Sequence, residues 1–509
     1  MVEKYTQDTG KNSVTSQTWV NRLGDNSAQR TLTPVQKAIL WTALVALLVM
    51  LALTPVSTIR GILGFFILVY LGNICFKSWL IVQSLKKGSM VTFSKERLTQ
   101  LANSLEELPI YSLMVSLRGE ERVVETLIKN LSALIYPRDK LQILLLVDED
   151  DTKTQAAIEK NHPPERFELH RVPIMKDGLH TKPHALNYGL ERARGTYTGL
   201  YDAEDAPDPD QLLKVVSTFL ESEDDKLACV QALLAFRNAG KNYLSKLSGI
   251  EYTNFFRLVL PGLSRNKLPV PLGGTSNHFS TLVLKRLLGW DRYNVTEDCD
   301  LGIRIARSGL TTKVIDSMTW EESHTKIFGK GFWFNQRSRW LKGYTQTWWV
   351  HMRNPYRLWR DLGTKNFLSF QLTIGATWLT ALVNPLFWLS TLIYWGSKIF
   401  GMTIVTTFYD SLYLTPILYA GVLCLLIGNP LILYFQLIAT RLSGRFQDAE
   451  IALVGSWPHW ALMSFAGWKG QLQLLRSGMA SFWEKSQHGL DEESEVVIDA
   501  HDRFNSHKS

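Results

Sequence analysis

The chain is poor in the residues that hold small or fibrous folds together. Its 509 residues include four scattered cysteines and no CxxC pair, which excludes a disulfide scaffold and a thiolate zinc site. Cys75 and Cys424 fall inside apolar runs, where a thiol packs as a small hydrophobe. Glycine (34) and proline (18) are too few for a collagen-like or low-complexity chain, and 11% aromatic residues exclude a disordered one. Lys and Arg exceed Asp and Glu, 55 to 47, but no Lys/Arg stripe with interleaved aromatics is present, so nucleic acid is not the expected partner. No repeat is visible. The length exceeds one ordinary core and implies two or three structural units.

What is there is apolar sequence in blocks. Residues 38–56 run 19 positions without a charge, enough to cross a hydrocarbon core of about 30 Å. Residues 61–85 follow with only Lys77 inside, close enough to one end for its ammonium to snorkel. Together these predict a transmembrane helical hairpin over 38–85. A polar segment of 37 residues precedes it and no small-residue cleavage site follows, unlike a signal peptide. Lys86, Lys87 and, before the hairpin, Lys4, Lys11, Arg22, Arg30 and Lys37 put both flanks on the cytoplasmic side. After a mixed, charged stretch, residues 366–397 and 411–440 are uncharged over 32 and 30 positions. Each is longer than one perpendicular span, so tilt, a kink at Pro385 or an interfacial half-turn must absorb the excess. Residues 451–468, with Trp457-Pro458-His459-Trp460 in the middle, read as an interfacial helix or a fifth span. The expected order is a cytoplasmic segment 1–37, the hairpin, a cytoplasmic domain 86–350, two further spans within 351–440, an interfacial segment 441–490 and a polar tail 491–509.

In the domain, residues 110–117 and 141–147 read as buried strands and 121–134 as a helix between them, the rhythm of a parallel α/β sheet. Ligands in such sheets bind beyond the carboxyl ends of strands, where Asp148-Glu149-Asp150-Asp151 falls. Asp202-Ala203-Glu204 also follows a short strand. Two carboxylates spaced i, i+2 there can face one Mg²⁺ or Mn²⁺, although Asp205 to Asp210 is equally good turn chemistry. Thr296-Glu297-Asp298 opens a helix, as an N-cap with first-turn acids or as the seat of a general base. Gln336-Arg337-Ser338-Arg339-Trp340 opens an aromatic, basic helix, which an interfacial anchor would also show.

In this order and spacing, over about residues 106–490, these motifs resemble the processive membrane glycosyltransferases of family 2, which include cellulose, chitin, curdlan and hyaluronan synthases. The resemblance implies a GT-A type fold, a Rossmann-like nucleotide-sugar domain inserted between transmembrane helices of an integral plasma-membrane protein. It implies a UDP-sugar donor, UDP-glucose or a relative, and Mg²⁺ or Mn²⁺. By motif, Glu120 and Asp148 match residues that hold the nucleotide, and Lys182 and Asn187 match residues near the diphosphate. Asp202 and Glu204 match the DxD acids at ribose and metal. Glu297 and Asp298 are the acids of TED, with Asp298 as base. Gln336, Arg339 and Trp340 match QxxRW, where Arg339 meets the diphosphate and Gln336 and Trp340 the acceptor. Gly274 and Thr275 resemble the acceptor-site turn.

The chain departs from the pattern at Glu149, at the longer acid Glu204, and in lacking the FxVTxKG gating motif. Phe482, Trp483, Lys485 and His488 stand at the corresponding place, as a lid or as a basic anchor. The implied reaction is one displacement at the anomeric carbon, with inversion and no covalent enzyme intermediate. The acceptor is expected to be a growing β-linked polysaccharide, alternatively a membrane lipid; an inert scaffold is disfavoured because both acidic motifs survive. A pore would draw on Gln371, Thr373, Thr377, Thr380, Asn384, Asn429 and Gln436, completed by a partner subunit or a homo-oligomer.

Overall fold

The computed structural model describes residues 23–103, 108–175, 180–329, 332–412, 415–476 and 478–482. Lys4, Lys11, Arg22 and the tail 491–509 lie outside the described residues.

The hairpin forms as two helices, α1 (Pro34–Leu53) and α2 (Pro55–Ser84). Pro34 suits the first helical position, and Thr33 closes a capping box in which its hydroxyl accepts from the Gln36 amide while Gln36 Oε1 accepts from the Thr33 amide. Gln36 is the buried residue of α1; Leu53, at 76% exposure, typifies the rest. A helix with apolar side chains on nearly all sides turned outward suits hydrocarbon, not water. Among the described residues, four helical stretches are long and apolar enough to cross a membrane: Pro34–Leu53, Pro55–Ser84, Pro355–Ile399 and Tyr419–Leu442.

Between them sits an eight-stranded sheet of β1 (Tyr111–Leu117), β2 (Leu141–Asp148), β3 (Phe167–Val172), β4 (Tyr197–Tyr201), β5 (Ala206–Pro207), β6 (Leu227–Phe236), β7 (Asn277–Ser280) and β8 (Thr311–Glu321), in the order β3-β2-β1-β4-β7-β6-β8-β5. Alternate residues feed two cores, Leu113, Val115, Ile143 and Leu145 to one face and Met114, Leu144 and Leu146 to the other. Burial on both faces is why β1 and β2 read as unbroken apolar runs. The sheet is mixed where a parallel one was expected: β7 runs antiparallel to both β4 and β6. At four residues, β7 carries no sequence signal of its direction.

Three helices border the site, α3 (Lys182–Arg192), α4 (Tyr243–Thr253) and α6 (Glu297–Arg307), and the short α5 (Leu260–Arg265) lies between α4 and α6 in the chain. The motif helix α7 (Trp333–His351) packs on α6, and the approach requires a glycine, since a Cβ on Gly343 would run into the Thr296 hydroxyl. The third apolar stretch consists of α8 (Pro355–Phe370), a π-turn (Gln371–Gly375) and α9 (Ala376–Ile399). Its excess length is absorbed at Gly363, which breaks α8 at φ +73°, and at the π-turn, while Pro385 sits inside a continuous α9. The fourth stretch ends in α10 (Asn429–Leu442), and α11 (Ala449–Leu475) carries Pro458 in its interior. The stretch read as 451–468 is thus part of a 27-residue helix. It packs its small residues against α7: a Cβ on Gly470 would lie 2.8 Å from the Ser338 carbonyl oxygen.

Candidate active site

The carboxyl ends of β1, β2, β4 and β8, the start of α6 and the start of α7 open into one cavity of about 630 Å³. Of the residues singled out in the sequence, it is lined by Glu120, Asp148, Lys182, Asp202, Glu204, Gly274, Thr275, Glu297, Asp298, Gln336, Arg339 and Trp340.

At the β1–β2 end, Asp148 is buried and accepts from Arg118, a residue that no motif marks. Arg118 Nη1 lies 3.3 Å from Asp150 Oδ1 and 2.6 Å from His180 Nδ1. Asp148, Asp150 and His180 place ligand-type atoms within 4.8 Å of one another, but the guanidinium already occupies their midst.

In the centre, Lys182 at the first position of α3 donates to Asp202 and, at 2.7 Å, to the Gly274 carbonyl. Burial would lower its pKa, but Asp202 and Glu297 outweigh that and hold it above the ordinary lysine value. Asp205 shapes the DxD turn by accepting from the Asp202 amide at 2.8 Å and from the Thr275 hydroxyl. Thr275 therefore touches the cavity with its hydroxyl committed to the turn. Asn187 is not among the cavity-lining residues. Its side-chain amide donates to the Trp290 carbonyl at 2.8 Å and accepts from the Trp290 amide at 2.9 Å, clamping the loop that leads to Thr296. The two bonds position that loop.

Asp298, half-buried at the cavity wall, accepts from the Cys299 amide at 2.7 Å, and a Cβ on Gly274 would lie 3.5 Å from its Oδ2. That glycine leaves the carboxylate open to an incoming group. Burial raises the pKa of Asp298, while the Cys299 amide, Lys182 and Arg339 pull it down. Glu297 is pushed up to about 8 by burial and by Asp298. Burial lowers Arg339, against the pull of Glu297, Asp298 and Asp202.

These shifts fix a pH dependence. Native Glu297 keeps its proton above the 4.5 of an ordinary glutamate and up to about 8, so in that window the native state binds more protons than the unfolded chain, and stability falls as pH rises. Asp291, pushed up to about 6 by burial and Asp300, acts in the same direction. The thermal midpoint of the ligand-free protein is expected to drop between roughly pH 7 and 8, above the range in which buried His278, brought down to about 3, acts in the opposite direction, and Glu297→Gln to flatten the drop. A midpoint that rises across it contradicts this placement of Glu297.

Glu251, Arg337 and Glu321 also line the cavity and had no motif to announce them. Arg337 Nη2 bonds Glu251 Oε2 at 2.8 Å, and its guanidinium carbon sits 4.0 Å from the centre of the Trp340 ring. One face of Trp340 is thereby covered by a cation. Burial would raise Glu251, but Arg337 and His459 on α11 bring it to about 2. Glu321 at the end of β8 is raised by burial and by Asp205, Glu204 and Asp202.

The cavity continues between the apolar helices, past Phe76 and Leu80 of α2, Thr373, Thr377, Ile432, Phe435 and Gln436, and Trp460 and Met463 of α11. Lys77 faces this cavity, a different place from the snorkelling position its sequence suggests. Of the polar residues considered for a pore, Thr373, Thr377 and Gln436 line it, whereas Gln371 accepts from the Trp348 indole at 2.8 Å and Asn384 accepts from Tyr70. Of the four lid residues, Phe482 is described: it is exposed, and its carbonyl accepts from Lys342 of α7 at 2.8 Å. Trp483, Lys485 and His488 lie outside the described residues.

The lining carries eight carboxylates against five Lys and Arg side chains. Glu297 and Glu321 are raised, so the remaining acids and the cations nearly balance; the hard oxygens of Asp202 and Glu204 are the donor type that would suit Mg²⁺ or Mn²⁺ beside a diphosphate.

A family model described as "Glycosyltransferase like family 2" matches residues 109–343. A probable glycosyltransferase of Bacillus subtilis (strain 168), YdaM, is 26% identical over 245 residues, which are 47% of this chain and 56% of that one. A beta-monoglucosyldiacylglycerol synthase of Synechocystis is 25% identical over 275 residues, 52% of this chain and 54% of that one. The chain spans about half the length of the curated relatives it matches. A mannosyltransferase of Pyrobaculum calidifontis, solved with GDP-Man and Mn²⁺, superposes with a TM-score of 0.50 at 17% identity, covering 82% of this chain and 98% of that one. The mixed sheet with acids at its strand ends, the family match and this likeness of fold agree: residues 109–343 resemble a glycosyltransferase family 2 domain and take a GT-A-like fold.

Proposed function

We propose that the protein is an inverting, nucleotide-sugar-dependent glycosyltransferase of the plasma membrane, with its domain on the cytoplasmic side, a UDP-sugar as donor and UDP-glucose first among the candidates. The observation that carries this reading is the convergence of Lys182, Asp202, Gly274 and Asp298 in one cavity that opens toward the apolar helices. Asp298 takes the proton of the acceptor hydroxyl as its oxygen bonds the anomeric carbon, and the bond to the diphosphate breaks on the opposite face. The departing diphosphate takes the electron pair. Lys182 and Arg339 meet the growing charge, Arg339 with a fork that can bond two oxygens. A divalent cation held by Asp202 and Glu204 would supply further electrostatic stabilisation of the leaving group. Arg118, Glu120 and Asp148 would hold the nucleoside.

For the acceptor, a growing β-linked polysaccharide is supported by Trp340 and by Thr373, Thr377 and Gln436 along the way out. A membrane lipid is favoured by the apolar remainder of that wall, Phe76, Leu80, Ile432, Phe435 and Met463, and by the likeness to a glycolipid synthase. Partition of labelled product decides: label in alkali-resistant polymer supports the synthase, and label confined to the chloroform phase supports the lipid acceptor. Absence of label from every nucleotide sugar would overturn both.

A further inference from the structure

A second pocket, of about 530 Å³, lies away from the active site, where the end of α5 meets the break in α8. Its lining includes three cations, Arg265, Lys267 and Lys365, and no acid. Two of the three have no acid partner among the described residues: Arg265 donates to the Lys87 carbonyl at 2.7 Å and Lys365 to the Asn266 carbonyl at 2.9 Å. A carbonyl accepts one N–H and leaves the charge in place. Lys267 pairs with Asp224 at 3.0 Å and is still 65% exposed at its side chain.

The backbone at Lys267 is more telling. The Leu268 amide donates to the Leu263 carbonyl and the Lys267 amide to that of Ser264, the two bonds of a Schellman cap. Lys267 thus stands at the left-handed position of that cap, at φ +52°, where glycine is the ordinary occupant. A side chain there strains the backbone and contributes nothing to the cap itself. What lysine adds over glycine is the ion pair with Asp224 and a cation on the lining of the pocket.

The position matches the charge. Lys87 belongs to the basic flank that ends the second apolar helix, and Lys365 immediately precedes the uncharged run of the third. On α8, Tyr356 and Trp359 are exposed, the amphipathic aromatics that settle at headgroup depth. We propose that Arg265, Lys267 and Lys365 form a binding site for the phosphodiester of an anionic phospholipid at the cytoplasmic surface of the bilayer, separate from the glycosyl-transfer cavity. This rests on the membrane reading above.

The test uses the full chain in vesicles of phosphatidylcholine alone, the same with one-fifth phosphatidylglycerol (about that fraction), and phosphatidylcholine with an equal amount of inorganic phosphate. Phosphatidylglycerol is expected to raise the thermal midpoint and to be retained through purification; inorganic phosphate is expected to do neither. Lys267→Gly and Lys365→Gln should each lower retention roughly fivefold, about one near-surface cation's share. Lys267→Gly should fold at least as well as the wild type, because glycine suits φ +52°, so loss of lipid there is not loss of structure. Retention by both variants equal to that of the wild type overturns the site, and an equal effect of inorganic phosphate overturns the lipid assignment. Failure to float with pure phosphatidylcholine vesicles would instead refute membrane insertion, independently of the pocket.

Discussion

Asp298→Asn is expected to lower glycosyl transfer by about 10²–10⁴-fold while leaving the affinity for the nucleotide sugar close to that of the wild type. Asparagine keeps the shape and the oxygen that accepts from the Cys299 amide at 2.7 Å, so the start of α6 should stay in place. What is lost is a group able to accept the acceptor's proton. The surroundings of Asp298 suit a general base, because burial raises the carboxyl while the Cys299 amide, Lys182 and Arg339 oppose the rise. Calorimetric titration with UDP separates the outcomes. Loss of UDP binding along with activity would make Asp298 a structural residue. Unchanged activity would remove it from the chemistry.

The second large effect is expected at Lys182. Lys182→Met keeps the length of the side chain and removes the ammonium that Asp202 and the Gly274 carbonyl share. Two losses coincide: the departing diphosphate loses a fixed cation, and Asp202 and Glu297 are left facing each other without it. The loss of transition-state stabilisation should show as a fall in kcat of roughly 10²–10³-fold, the scale of removing one preorganised donor. The loss of the central charge should also raise the KM for the donor. A variant with wild-type kcat and KM would show that the Lys182–Asp202 pair only braces the turn.

The site was legible in the sequence where one short segment carries its own chemistry. Asp298, Arg339 and Trp340 belong to motifs whose spacing survives intact, and all three reach the cavity. Glu251, Glu321, Arg337 and Arg118 were not legible, because each comes from a different element and acquires its partners only when α4, β8, α7 and β1 are brought together. Asn187 belongs to a recognisable motif, and only the fold reveals that its amide clamps Trp290. The alternating cores behind β1 and β2 were readable from their apolar runs, whereas the direction of the four-residue β7 was not. Pro458 and the surrounding tryptophans suggested a shorter element than the 27-residue α11, because small residues such as Gly467 and Gly470 let the helix pack along α7 and α9. The long apolar stretches told how much chain must cross, but not that Gly363 and a π-turn, rather than Pro385, would adjust their length.

Inverting transfer with Asp298 as base is tested most directly by supplying a panel of radiolabelled UDP-sugars to the full chain in phosphatidylcholine vesicles. Asp298→Asn is run beside it, and the anomeric configuration of the product is read by NMR. At least one α-linked UDP-sugar is expected to label a product, with a β linkage newly formed and almost no product from the variant. A product of retained configuration, or equal labelling by wild type and variant, would contradict that chemistry.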